Sequence, residues 1–226
     1  MKTLGCSVLA VTLGVALAHA TILPPTGSSP VAASALGTPV TGPFLADTGM
    51  QDFTATNSLG QTTITGEYRA MVYSDPSNNF CAGCLDFFVL VESSTKSTDA
   101  IERITLASFG SFLTNVGYSI GQDSAPSGVD PATVDRSSNG SVVGFNFSNL
   151  PGVAPGDGTA VLEIETNATT FMKGTLQIID SSVASVNAFE PCSIMTPEAS
   201  SVSLTLLGGL LLGVGFIGRH RRTRQS

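Results

Sequence analysis

Residues 85–91 read Leu-Asp-Phe-Phe-Val-Leu-Val, and this run decides the fold class of the chain. Every position after Asp86 is apolar, so both faces of the run need cover, which is typical of a central β-strand. Further upstream, apolar positions such as Ile64 and Val72 alternate with polar ones such as Thr65. This period of two predicts a strand with one buried and one solvated face.

Similar short runs continue along the chain, and clusters of Gly, Pro, Ser, Asn and Asp separate them. No part of the middle sustains a helical apolar period. We therefore predict an all-β chain whose ectodomain, residues 44–190, is a single β-sandwich of jelly-roll or immunoglobulin-like arrangement. Residues 21–43 contain five prolines and no charge, which indicates a Pro-rich linker with a first edge strand. The further strand runs are 103–106, 143–147, 160–165, 176–178 and 183–189.

The charge distribution excludes several classes of function. The whole chain carries a net charge of −7, but residues 21–197 hold five basic and sixteen acidic side chains, so the middle carries 5 − 16 = −11. Both histidines, His19 and His220, lie outside that middle. The composition argues against a Ser-His-Asp or Cys-His site, a His-ligated zinc and a nucleic-acid surface.

The N-terminal residues have the three parts of a secretory signal peptide. Lys2 supplies a positive charge, and Cys6–Ala18 is an uncharged, mostly apolar run of thirteen residues. Ala18 and Ala20 then form an A-x-A cleavage site. We predict that residues 1–20 are a signal peptide read by the Sec translocon, and that the mature chain begins near Thr21.

The C-terminal residues also divide into three parts. Residues 191–201 are predicted to be a linker that carries the stretch Thr196-Pro197-Glu198-Ala199. Val202–Gly218 follows without a charge, and its seventeen residues would span about 25 Å as a helix, at the short end for a transmembrane segment. Residues 219–226 form a basic tail, which predicts a cytoplasmic end. The cluster that sets this topology is Arg219, Arg221, Arg222 and Arg224.

This order of Pro-Glu-x, small hydroxyl residues, Gly/Leu-rich helix and terminal arginines resembles the PEP-CTERM sorting signal. The resemblance covers residues 196–226, and it departs from the usual pattern at Ala199, where proline is usual. It implies a protein exported by a Gram-negative bacterium and processed by the membrane enzyme exosortase, in association with exopolysaccharide and the biofilm matrix. A sortase tail is the rival, but its L-P-x-T-G box is lacking; an ordinary single-pass anchor remains an alternative.

The mature chain holds three cysteines. Cys81 and Cys84 have the C-x-x-C spacing, which in an oxidising compartment indicates a structural disulfide that closes the loop before the central strand. Cys192 is left over; it could pair with either of the others or stay free.

Carboxylates are the remaining candidates for chemistry. Asp86, Glu163 and Glu165 lie on predicted strands and could form a glycosidase pair, but the alternation assigns Glu163 and Glu165 to a solvated face. An acidic loop could hold Ca²⁺ through oxygen ligands, although its spacing is not that of an EF-hand, which favours ordinary turn roles. The acidic residues of that loop are Asp123, Asp130 and Asp135. We expect no catalytic residues, no metal site and no cofactor, and we assign the phenylalanines to the core.

We therefore expect a non-enzymatic extracytoplasmic protein, first anchored in the membrane by its C-terminal helix and then located at the cell surface or in the extracellular matrix. Its expected partners are exosortase, the translocon, the membrane and exopolysaccharide, with no nucleic acid. The alternatives are a polysaccharide- or calcium-binding module and, with less support, a secreted hydrolase.

Overall fold

The computed structural model describes residues 21–36, 40–119, 128–147 and 152–193. These residues form β-strands and connecting loops and contain no helix, so none of them supplies a helix that could cross a membrane. The prediction of an all-β fold is confirmed for the described residues. The strands are β1 (Thr21–Leu23), β2 (Ser28–Ala32), β3 (Ala35–Leu36), β4 (Phe44–Asp47), β5 (Gln51–Thr56), β6 (Thr62–Asp75), β7 (Cys84–Ser93), β8 (Arg103–Leu106), β9 (Thr114–Ser119), β10 (Thr133–Arg136), β11 (Val143–Asn146), β12 (Val161–Thr166), β13 (Phe171–Ile179) and β14 (Val183–Pro191).

Hydrogen bonds join the strands in the order β1-β9-β12-β7-β6-β5-β14-β13-β8-β11-β10-β2. Two short strands lie off this path: β3 pairs with β9 in parallel, and β4 pairs with β6. Strands β1 and β2 occupy opposite ends of the path but are joined by only residues 24–27, and Thr21 Oγ1 donates to the carbonyl of Ala32 at 3.4 Å. The antiparallel sheet is therefore nearly closed, and its strands belong to one compact unit that ends at Cys192.

The segment predicted as linker and edge strand contributes three strands to this sheet. Residues 21–36 contain β1, β2 and β3, which pair with β9, β10 and β9 respectively. The prolines at 24 and 25 fall in the turn between the first two of these strands, where no ladder N–H is required. The segment thereby links the two ends of the sheet.

Strand β7 is buried on both faces, as its apolar run predicts. Its odd-numbered residues, such as Phe87 and Val89, belong to the main hydrophobic core. Its even-numbered residues Phe88 and Leu90 belong to a second, smaller cluster on the other face. The second cluster also contains Met71, only 1% exposed although its position in the alternation predicts a solvated side chain. Other segments of the chain therefore cover the outer face of β6 and β7.

Arg136 of β10 forms hydrogen bonds to several segments of the chain. Its side chain is only 1% exposed, and burial lowers the pKa of its guanidinium from the ordinary value. Every acceptor around it is neutral, so hydrogen bonds rather than an ion pair compensate for the buried charge. The acceptors are the carbonyls of Leu23, Phe109, Phe112 and Gly140 and the hydroxyl of Thr114.

Candidate functional site

The strand register brings a row of polar side chains together on the outer face of the sheet. Glu165 of β12 is paired with Asn115 of β9 on one side and with Asp86 of β7 on the other. Asp86 is in turn paired with Tyr73 of β6, and Asp75 follows two residues later on the same strand. Because residues i and i+2 share a face and cross-strand neighbours lie about 5 Å apart, the carboxylates of three strands converge.

Three of these carboxylates form a compact group. Asp75, Asp86 and Glu165 each offer one oxygen, and these oxygens all lie within 4.8 Å of one another. The three residues are 5%, 0% and 8% exposed. We call this group the carboxylate cluster; a fourth acidic residue, Glu163, is 4% exposed and precedes Glu165 by two positions on the same face.

The loop between β6 and β7 covers the carboxylate cluster. Asn78 Nδ2 donates to Asp86 Oδ1 at 2.7 Å and to the carbonyl of Thr166 at 3.1 Å, and Asn79 Nδ2 donates to Glu165 Oε2 at 2.6 Å. The amide oxygen of Asn78 accepts the N–H of Phe80 at 2.8 Å, which fixes the turn locally. The loop is thus tied to the strands that carry the acidic residues.

The predicted disulfide lies in the same loop. Cys81 and Cys84 are joined in the structure, with their Cα atoms 5.3 Å apart. The N–H of Gly83 donates to the carbonyl of Asp75 at 2.7 Å. The disulfide and this hydrogen bond together close the short loop over the carboxylate cluster.

A close backbone approach covers the Glu163 end of the outer face. Gly117 of β9 is paired directly with Glu163. A Cβ at Gly117 would lie 2.2 Å from the carbonyl oxygen of Ser34 and 3.0 Å from Cγ of Leu36. Only glycine therefore lets the β3 segment pass this close to β9.

Burial dominates the electrostatics of this face. It raises the pKa of Asp86 to about 9, and the negative charge of Glu163 adds to this effect, while the hydrogen bond from Asn78 opposes it. Burial likewise raises the pKa of Glu163 to about 8, with a further contribution from the charge of Glu165. No lysine or arginine among the described residues lowers either pKa. A proton or a metal cation would relieve this concentration of negative charge.

The prediction that Glu163 and Glu165 are solvated is wrong. The alternation correctly places them opposite the main core, but the disulfide loop and the β3 segment cover that face. Their burial also argues against glycoside hydrolysis, since the two carboxyl groups of a glycosidase must flank the scissile bond. Asp86, the third candidate, is wholly buried and hydrogen-bonded to Asn78.

The acidic loop predicted as a possible calcium site has a different arrangement. Asp135 lies on β10 and forms a bidentate ion pair with Arg103, at 2.5 Å to Nη1 and 2.7 Å to Nη2. Asp130 is exposed and interacts with Tyr118. Asp123 lies outside the described residues. Asp135 and Asp130 therefore contact different partners.

Sequence reasoning missed Asp75, Asn78 and Asn115 as members of the site. The first two lie in a Ser-Asp-Pro-Ser-Asn-Asn stretch, which is typical of a turn. Asn115 lies in β9, a strand that the apolar pattern did not predict. The one available signal was Asp86 itself, a lone acidic residue in an otherwise apolar run.

The remaining predicted residues divide into described and undescribed parts. Cys192 is half-buried, and its N–H donates to the carbonyl of Thr170 at 2.9 Å. The phenylalanines of the middle lie mostly in the core, and Phe87 packs edge-to-face on Phe109 at 5.6 Å. The signal cleavage site, the sorting motif, the transmembrane segment and the basic cluster lie outside the described residues; they are Ala18, Ala20, Thr196–Ala199, Val202–Gly218, Arg219, Arg221, Arg222 and Arg224.

Comparison with family models, with curated proteins and with solved structures finds no match to this chain.

Proposed function

We propose that the chain is an exported, non-enzymatic protein of the cell surface or extracellular matrix, sorted by a PEP-CTERM-type tail. The observation that carries the proposal is the order of features after residue 195. A Pro-Glu-Ala motif precedes seventeen uncharged residues, and four arginines follow them. Exosortase is the processing partner that this order implies, and exopolysaccharide is the proposed partner in the matrix.

The proposed topology follows from the physics of the tail. Val202–Gly218 is short and contains five glycines, so it holds the bilayer less firmly than a leucine-rich span of twenty residues. The arginines cannot cross the hydrocarbon cheaply, so they stop transfer and keep the extreme end in the cytoplasm. Pro197 then lies just outside the membrane, where a processing enzyme reaches it.

Features of the folded domain support an extracytoplasmic role without catalysis. A Cys81–Cys84 disulfide is compatible with an oxidising compartment outside the cytoplasm. The three acidic residues considered for a hydrolase, Asp86, Glu163 and Glu165, are buried, so a polymeric substrate does not reach them. The signal peptide proposed for residues 1–20 supplies the export step.

We also propose that the nearly closed sheet is flattened into a β-sandwich. One hydrophobic cluster contains Phe87 and Ile164 from one half of the strand path and Ile104 and Phe145 from the other. Both halves share a core only if the sheet folds back on itself. A jelly-roll or immunoglobulin-like connectivity is the finer form of this proposal.

The test of the sorting proposal uses two tail variants in a host with active exosortase. Replacing all four arginines of the basic cluster by glutamine should yield unprocessed or misoriented protein, because the stop-transfer charge is gone. Replacing the same four by lysine is the matched control, since it keeps the charge and should keep processing. Deleting exosortase should leave a heavier, membrane-bound form. Normal processing of the glutamine variant, or processing unchanged without exosortase, would overturn the proposal.

A further inference from the structure

The carboxylate cluster has the dimensions of a calcium site. Ca²⁺ binds oxygen ligands at about 2.3–2.6 Å, so two ligands on opposite sides of one ion lie roughly 4.6–5.2 Å apart. The oxygens offered by Asp75, Asp86 and Glu165 lie within 4.8 Å of one another. One cation can therefore contact all three without movement of the strands.

The hydrogen bonds within the described residues use only one oxygen of each carboxylate. Ser77 donates to Oδ1 of Asp75 at 2.9 Å through its N–H and at 2.8 Å through its hydroxyl. Asn78 donates to Oδ1 of Asp86, and Asn79 donates to Oε2 of Glu165. The surrounding groups thereby orient the three carboxylates and leave a second oxygen on each for another ligand.

Two buried oxygens at this place have no hydrogen-bond donor among the described residues. Oδ2 of Asp86 is one, and Asp86 is 0% exposed. Oδ1 of Asn115 is the other; Asn115 is 1% exposed, and its Nδ2 donates to Glu165 Oε2. A buried acceptor without a donor is costly, and a buried carboxylate oxygen more so. A bound cation would satisfy such oxygens where a hydrogen-bond donor does not.

We propose that Asp75, Asp86 and Glu165 bind one Ca²⁺ ion, which fastens the disulfide loop to strands β7 and β12. The end of β6 supplies Asp75, so the ion connects three neighbouring strands. Asn115 is paired with Glu165 in the strand register, and its amide oxygen, which has no hydrogen-bond donor among the described residues, is a candidate for a further ligand. The site does not include Asp130 or Asp135.

The ligand chemistry selects calcium among common cations. The donors are carboxylate and amide oxygens, which suit hard cations; zinc and copper sites favour imidazole or thiolate, and the described residues contain no histidine. Mg²⁺ demands a near-ideal octahedron and retains several waters, whereas Ca²⁺ accepts irregular cages of protein oxygens. The covered, irregular arrangement under the loop therefore fits Ca²⁺ better than Mg²⁺.

The test is a calcium titration of the purified mature protein after treatment with EDTA. Wild-type protein should bind one Ca²⁺ per chain by calorimetry. Extracellular calcium modules bind with Kd values of about 0.1–1 mM, so 10 mM Ca²⁺ should raise the thermal unfolding midpoint by about 3–10 °C. Ten millimolar Mg²⁺ should produce a clearly smaller shift.

Three variants make the result specific. Asp86→Asn and Glu165→Gln should each weaken calcium binding at least tenfold. Asp86→Asn should nevertheless be as stable as wild type in EDTA, because the amide keeps the shape of the carboxyl group and adds no charge to the acidic group. Glu67→Gln, an exposed substitution of the same type on β6, should keep the wild-type calcium response. No binding by wild type would overturn the proposal. So would equal calcium responses in all three variants, or an Mg²⁺ shift as large as that with Ca²⁺.

Discussion

Replacing Arg136 by methionine should destabilise the domain more than any surface substitution. The guanidinium donates to five oxygens, and three of its bonds are well-formed at 2.7–2.9 Å. Methionine fills part of the volume but donates no hydrogen bond, so each carbonyl that accepts from Arg136 loses one donor; Leu23 and Phe109 keep a second. The variant therefore removes the hydrogen bonds that connect strand β10 to strand β1 and to the loop that follows β8.

The expected loss of stability follows from the number of hydrogen bonds that Arg136 donates. A typical intramolecular hydrogen bond contributes about 1 kcal/mol net, so losing three to five of them lowers the free energy of unfolding by about 3–5 kcal/mol. For a domain of this size each kcal/mol lowers the unfolding midpoint by roughly 2–4 °C. We therefore expect Arg136→Met to unfold about 6–20 °C below wild type, with a lower urea midpoint and an unchanged slope.

Arg69 supplies the matched control. It pairs with Asp47 at 2.9 Å on the surface, with both side chains about a quarter exposed. Such exposed pairs contribute about 1 kcal/mol or less. Arg69→Met should therefore shift the midpoint, measured by circular dichroism, by no more than a few degrees. If Arg136→Met and Arg69→Met unfold within 2 °C of each other, the hydrogen bonds of Arg136 do not stabilise the fold.

Three other changes test separate contacts. Reducing the Cys81–Cys84 disulfide should lower the free energy of unfolding by about 2 kcal/mol, which is the loop-closure value for four residues. Neither cysteine should react with an alkylating agent until reductant is added, and alkylation before that would disprove the bond. Gly117→Ala should lower the free energy of unfolding in urea by about 1–3 kcal/mol, because its new Cβ clashes with the Ser34 carbonyl. Gly110→Ala is the control and should be nearly neutral, because the nearest atom to its new Cβ is 3.6 Å away. Equal effects of the two substitutions would refute the close approach of β3 to β9. Burial raises the pKa of Asp135, but hydrogen bonds from Arg103 and Asn146 outweigh it and lower the pKa overall. The resulting stability is present above the unfolded pKa of about 3.9 and is lost as the pH falls through the lower folded value, so the excess stability of wild type over Asp135→Asn should shrink below pH 4; a difference that stays constant down to pH 2 would contradict the ion pair.

The central strands were predictable because their patterns are local. The run at 85–91 is apolar on both faces, and burial on both faces of β7 follows from that alone. The alternation around Ile64 likewise gave the core face of β6. Such patterns report which side of a strand meets the main core.

The parts that sequence missed depend on contacts between distant segments. Strand β9 reads Thr-Asn-Val-Gly-Tyr-Ser, a polar sequence whose Asn115 is buried against Glu165 and whose Gly117 admits the β3 segment. Alternation assigns Glu165 to the outer face but does not reveal that a loop more than eighty residues earlier covers it. The carboxylate cluster was therefore visible only once the register of β6, β7 and β12 was known.

The mass of the intact mature protein tests the functional account most directly. Protein from the native host, analysed without reduction, should begin near Thr21 and end near Pro197–Ala199, because we propose that export removes residues 1–20 and that processing removes the hydrophobic segment with its arginines. The mass should also be two hydrogens lower than that of the fully reduced chain, as one disulfide requires. A chain that retains residues 202–226 in a strain with active exosortase would contradict the sorting account and leave a permanent single-pass anchor in its place.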